Sequence, residues 1–181
     1  MTHRWIVTAL GKDRPGIVAG VTKILYRLGC NLEDSAMTRL EGEFTIMLIF
    51  SAPAKHTEEK LRNAFEPMTR GLKLAVHLRP LTKSETAAPR KRGTAHLISI
   101  YGADRPGIVF QVSDALARSG INITDVHTHR SAGSGPSLYL LLLEVEVPPT
   151  RSLVSLEELL SRVAKRLGVE VSVRPVEPDV L

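Results

Sequence analysis

Short apolar runs and stretches of helical period follow one another in the same order twice along the chain. Trp5-Ile6-Val7-Thr8-Ala9-Leu10 and His96-Leu97-Ile98-Ser99-Ile100-Tyr101 are β-rich runs that each end at a glycine. A predicted helix follows each; in the first, Ile17, Val18, Val21, Ile24, Leu25 and Leu28 recur at spacings of three and four. Gly29 and Gly120 are placed to stop these helices in a left-handed conformation. Two strands come next. Asn31 to Leu40 and Phe44 to Phe50 flank a predicted hairpin turn, Glu41-Gly42-Glu43. Ile121 to Arg130 and Leu138 to Val147 flank Ala132-Gly133-Ser134-Gly135-Pro136. Second helices are predicted over about 55–71 and 151–167, the latter with a buried stripe of Leu156, Leu159, Leu160, Val163 and Leu167. Leu72 to Leu78 and Val169 to Val173 read as closing strands.

The two halves also share residues. At an offset of about 91 positions, 11–34 and 102–125 align without a gap, with about half of the residues identical. Asp13-Arg14-Pro15-Gly16-Ile17-Val18 matches Asp104-Arg105-Pro106-Gly107-Ile108-Val109 without interruption. Val21, Leu25, Gly29, Asn31 and Asp34 match Val112, Leu116, Gly120, Asn122 and Asp125. The chain is thus a duplicated βαββαβ unit of the α+β class. Right-handed crossovers predict two tandem ferredoxin-like domains, each an antiparallel four-stranded sheet with both helices on one face. The expected boundaries are 1–81, a linker at 82–93, and 94–181. Pairing of the two units through sheet edges or helices would leave a seam between them.

Composition suits two small domains: 181 residues, 43% hydrophobic and 24% charged. No apolar run reaches the roughly 18–20 residues of a membrane span, so no membrane contact is expected. Met-Thr-His-Arg-Trp lacks the layout of a signal peptide. A single cysteine, Cys30, excludes an internal disulfide and reads as a small buried apolar residue; a cytoplasmic location is expected. The net charge is +5, with its densest cluster, Arg90-Lys91-Arg92, in the linker. That cluster reads as a solvated connector, with a nucleic-acid contact as the alternative. Aromatic residues at 4% argue against base-stacking modules.

The loop from first strand to first helix carries the candidate chemistry. Pro15 and Pro106 suit a first helical turn, and Gly16 and Gly107 remove side-chain bulk there. Unpaired amides and the positive end of the helix dipole could then receive a small carboxylate. Asn31, Asp34, Asn122 and Asp125 open the following strand and could hold an amino group. Each residue has a purely structural reading as well. Asp13 and Asp104 suit helix N-caps. Asn31 and Asn122 suit a turn after the glycine. Arg14 and Arg105 either clamp a carboxylate or face solvent.

The pattern Gly-x-Asp-Arg-Pro-Gly-Ile-Val after a strand, followed by Gly-x-Asn-Ile/Leu-x-Asp, resembles the ACT domain, a regulatory amino-acid-binding module of ferredoxin-like fold. The resemblance covers nearly the whole chain, twice. Two such units without an attached enzyme or DNA-binding domain are similar to the glycine cleavage system transcriptional repressor group. That similarity implies a cytoplasmic, non-enzymatic regulator that binds glycine or another amino acid and acts through a protein partner such as a transcription factor. It implies no cofactor and no direct contact with nucleic acid; a homodimer is compatible with it. Carried over, the ligand-binding positions are Gly11, Asp13, Arg14, Pro15, Gly16, Ile17, Asn31 and Asp34, with Gly102, Asp104, Arg105, Pro106, Gly107, Ile108, Asn122 and Asp125. The loops differ at Lys12 against Ala103 and at Ala19-Gly20 against Phe110-Gln111, so the copies need not be equivalent.

Other chemistry is weakly signalled. Gly-x-Ser-x-Gly, a complete phosphate loop and His-Glu-x-x-His do not occur. His127 and His129 share one strand face but lack an identified third metal ligand. Glu157-Glu158 reads as a solvated helix face.

Overall fold

In a computed structural model of the chain, the described residues are 2–82, 85, 93–131 and 137–176. They form two compact units, residues 1–89 and 90–181. The first contains β1 (Thr2–Lys12), α1 (Ile17–Arg27), β2 (Asn31–Leu40), β3 (Glu43–Pro53), α2 (Glu58–Leu72) and β4 (Ala75–Pro80). The second contains β5 (Thr94–Ala103), α3 (Ile108–Arg118), β6 (Asn122–Arg130), β7 (Leu138–Val147), α4 (Leu153–Leu167) and β8 (Val169–Pro175). Each sheet is antiparallel, ordered β2-β3-β1-β4 and β6-β7-β5-β8. The predicted ferredoxin-like order is therefore present twice. Most of the expected linker, with Arg90-Lys91-Arg92, and the expected turn at 132–136 lie outside the described residues.

Period-two alternation decides which sheet face is covered. Trp5, Val7 and Ala9 of β1 are buried, as are Phe44, Ile46, Leu48, Phe50 and Ala52 of β3. They meet Ile17, Val21 and Leu25 of α1 and Leu61, Phe65 and Met68 of α2 in one core. Burial of each large side chain contributes about 1.5–3 kcal/mol. The second unit repeats this with its own core, built on Ile98, Ile100, Leu141, Leu143, Leu116 and Leu160. The edge strand β2 is exposed along its whole length.

Local signals set the ends of the helices. Gly29 and Gly120 stop α1 and α3 as predicted, at φ 66° and 70°. In each case two backbone bonds wrap the helix end: Gly29 N–H to Tyr26 and Cys30 N–H to Leu25, then Gly120 N–H to Ala117 and Ile121 N–H to Leu116. The second helices start later than expected because Thr57 and Ser152 cap them, their side chains accepting from the amides of Lys60 and Ser155. In the hairpin, Glu41 and Gly42 both take positive φ, as a two-residue primed turn demands. Among the described residues, no helix is long and apolar enough to cross a membrane.

Candidate functional site

The strand-to-helix loop is a turn followed by an uncapped helix. Gly16 has φ 94° and ψ −5°, and Gly107 has φ 90° and ψ 0°. These are the angles of the third residue of a type II turn, with Pro15 or Pro106 at the second. The structure departs from two expectations. The prolines lie ahead of the helix rather than in its first turn, because glycine occupies the N-cap position. Asp13 and Asp104 are not N-caps either, since three residues separate them from the first helical residue. Neither α1 nor α3 has a side-chain cap or an acidic residue in its first turn.

The glycine carbonyls accept the first helical bonds, from Gly20 at 2.8 Å and Gln111 at 2.9 Å. The three amides ahead of each bond face out of the helix end, with the positive end of the dipole behind them. Ile17 and Ile108 offer only their backbone to this opening, because their side chains are buried in the cores. A Cβ on Gly16 would meet nothing within 4 Å, so the opening is unobstructed there.

Other members of the predicted set have structural partners. Asp13 N–H donates to Gly42 at 2.9 Å and Asp104 N–H to Ser137 at 2.9 Å, tying each loop to the neighbouring hairpin. The Asp13 carboxylate lies 3.4 Å from Arg39 and that of Asp104 lies 3.7 Å from Arg130. Gly11 and Gly102 mark close backbone approaches. A Cβ on Gly11 would come within 2.6 Å of Leu74 Cδ2, and one on Gly102 within 2.8 Å of Val169 Cγ1.

Within a unit, the structure does not bring Asn31 and Asp34 to the loop. Asn31 pairs with Ser51, which faces Arg4, and Asp34 pairs with Ile49, which faces Ile6. The loop leaves the sheet at Lys12, about 20 Å further along at about 3.3 Å per residue. The second unit has the same register: Asn122 faces Glu146, and Asp125 faces Glu144. The recurring aspartates instead follow a β-bulge, at Leu32/Asp34 and Ile123/Asp125. Each accepts from the next backbone amide, Asp34 from Ser35 and Asp125 from Val126, both at 2.8 Å. Asp125 also contacts His127 Nε2 at 2.9 Å. Among the described residues, no group of three or more His, Cys, Asp or Glu is placed to hold a metal.

In the first unit the helix opening faces a cleft of about 730 Å³. Its walls join Asp13, Arg14, Pro15 and Gly16 of the loop to Val18, Ala19 and Thr22 of α1, Met37 and Arg39 of β2, and Phe44 of β3. The wall from β2 and β3 is absent from the predicted set. Its one available signal was Arg39 and Arg130, which recur at equal distance from their aspartates. Cations, an anion, free amides and apolar side chains thus converge on one concavity.

The second unit departs from this. Arg105 turns away from the helix opening and donates to the Leu167 carbonyl at 3.5 Å, at the negative end of α4. Phe110, 69% exposed, replaces Ala19, and Thr128 occupies the register position of Met37. Phe110 and Asn122 line a separate groove of about 410 Å³ along α3 and β6.

The ACT domain family model matches residues 3–79 and 94–174. The glycine cleavage system transcriptional repressor of Escherichia coli K12 is 25% identical over 177 residues, covering 96% of this chain and 90% of that protein. A UPF0237 protein of Streptococcus pneumoniae is 38% identical over 73 residues, which span 40% of this chain and 83% of that protein. The crystal structure of an unknown protein from Galdieria sulphuraria superposes with a TM-score of 0.82 at 26% identity, covering 98% of this chain and 100% of the other.

Proposed function

We propose, for a chain that belongs to the ACT-domain family through both of its units, a role as a sensor of a free amino acid that regulates transcription through a protein partner. It is an ACT-domain regulatory protein related to the glycine cleavage system transcriptional repressor. One observation carries the sensing role: an uncapped helix start opens on a cleft that holds Asp13, Arg14 and Arg39. A carboxylate fits the outward amides and an arginine, and an ammonium fits Asp13. The macrodipole adds about 0.3–1 kcal/mol and each charge-assisted hydrogen bond about 1.5–3 kcal/mol. After the cost of association, that suits micromolar to millimolar affinity.

The partner in this reading is a transcription factor in the cytoplasm, and the protein itself touches neither nucleic acid nor membrane. The exposed edge strand β2 suits pairing of two copies into a homodimer. A thermal-shift screen of the full chain against the amino acids tests the sensing role. A ligand at about one hundred times its dissociation constant stabilises by about 2.7 kcal/mol. A flat response across the panel refutes the role.

A second reading is a protein-interaction module whose ligand site is vestigial. The engaged Arg105 and the exposed Phe110 favour it for the second unit.

A further inference from the structure

We propose that the first-unit cleft selects an amino acid with a bulky apolar side chain, with Ala19 and Met37 as specificity-determining residues, and that the second unit does not take this ligand. The inference rests on the amino-acid-sensing reading above and adds its selectivity. The groups that any amino acid carries are matched at one end of the cleft, by the amides, Arg14 and Asp13. The rest of the wall is apolar: Pro15, Val18, Met37 and Phe44. Val18 is 43% exposed and Met37 is 58% exposed, so both hold apolar surface that a ligand side chain can remove from water. Glycine has no side chain to cover that wall. A leucine or methionine does, and covering such a side chain is worth about tenfold to a hundredfold in affinity.

The second unit keeps Asp104, Pro106 and Val109 at the matching positions but differs at three others. Thr128 replaces the Met37 thioether with a hydroxyl. Phe110 stands at the position of Ala19, and it lines the separate groove shared with Asn122. Arg105 is engaged with the Leu167 carbonyl, whereas Arg14 has no hydrogen-bond or ion-pair partner among the described residues. The duplicated loop therefore presents two chemically different surroundings.

Calorimetric titration of the full chain with glycine, leucine and methionine tests this. Leucine and methionine are expected to bind at least tenfold more tightly than glycine. Ala19→Phe, at an exposed helix position, is expected to abolish leucine binding, and Met37→Thr to weaken it about tenfold. Phe110→Ala and Thr128→Met are expected to leave it unchanged. Glycine binding as tightly as leucine, or leucine binding that survives both Ala19→Phe and Met37→Thr, overturns the selectivity and leaves sensing intact. Leucine binding lost in Phe110→Ala overturns the assignment to the first unit. No heat with any amino acid overturns sensing and the selectivity with it.

Discussion

Replacing Gly16 by alanine separates two roles for the glycine of the Asp-Arg-Pro-Gly loop. If glycine serves only to leave room, alanine is harmless to folding, since its Cβ would meet nothing within 4 Å. If glycine serves the backbone, alanine must adopt φ 94°. A left-handed conformation costs an L-residue about 1–2 kcal/mol, and steric clash adds nothing at this open position. The loss is therefore about 1 kcal/mol or slightly more. With a urea slope of about 1 kcal/mol/M for a small domain, the unfolding midpoint falls by about 1 M.

The chain carries its own reporter for this measurement. Its single tryptophan, Trp5, is buried in the first core. Tryptophan fluorescence therefore follows the first unit, while far-ultraviolet circular dichroism follows both. Gly16→Ala is expected to lower the fluorescence midpoint, and Gly107→Ala to lower a dichroism transition without moving fluorescence. Asparagine tolerates the left-handed region better than alanine, so stability should run Gly, Asn, Ala at position 16. Unchanged stability in Gly16→Ala, or an asparagine variant less stable than the alanine one, would falsify the conformational account.

Three other outcomes are expected. His56, 5% exposed, contacts the Leu28 carbonyl through Nε2 at 2.8 Å, and Arg151 donates to Ser119 at 3.1 Å at the matching place in the second unit. His56→Ala should therefore cost the first unit about 2 kcal/mol in urea unfolding, and His56→Arg distinctly less, because the replacement restores a donor. Glu85 accepts from the Thr82 amide and hydroxyl and pairs with Arg79, which holds its carboxyl down at about 2. Its contribution to stability is present above the ordinary value of 4.5 and is lost as pH falls towards 2. An NMR titration of its side-chain carboxyl should find the midpoint near the lower value, and a midpoint near 4.5 contradicts the contacts. Burial pushes the Cys30 thiol up, so it should react with iodoacetamide more slowly at neutral pH in the folded chain than in urea.

The architecture was legible because its signals are local or repeated. Period-two runs gave the strands, three-and-four spacing gave the helices, and Gly29 with Gly120 marked their ends. Boundaries slipped where a short-range contact competes with the pattern. Thr57 caps α2 by accepting from Lys60, so the helix starts after the apolar period suggests. Pro15 read as a residue of the first helical turn, and the positive φ of Gly16 instead puts it in a turn ahead of the helix. The site was only half legible. Its loop is one continuous motif, but Met37, Arg39 and Phe44 reach the cleft through strand pairing across a hairpin, which sequence distance does not display. Asn31 and Asp34 recur with the loop in both copies, yet sheet register carries them to its far end.

Recurrence in this chain therefore does not by itself mark a binding residue. Gly11, Gly16 and Asp34 recur with Gly102, Gly107 and Asp125 because the fold needs them: a close approach, a positive φ and a partner for a backbone amide beside a bulge. Those constraints act on any copy of the unit, whether or not it binds anything. The proposed selectivity rests where the copies differ against that common frame. Lys12 pairs with Glu43 in the first unit, and the matching residues, Ala103 and Leu138, form an apolar pair. Ala19 and Met37 give way to Phe110 and Thr128 at the matching positions. A duplicated scaffold that kept two equal sensors would hold these wall positions alike and let the outer surface drift. Here Asp13, Arg14, Val18 and Arg39 of the cleft are kept in the second unit as Asp104, Arg105, Val109 and Arg130, while Ala19 and Met37 beside them are not, and the proposed selectivity rests on that difference.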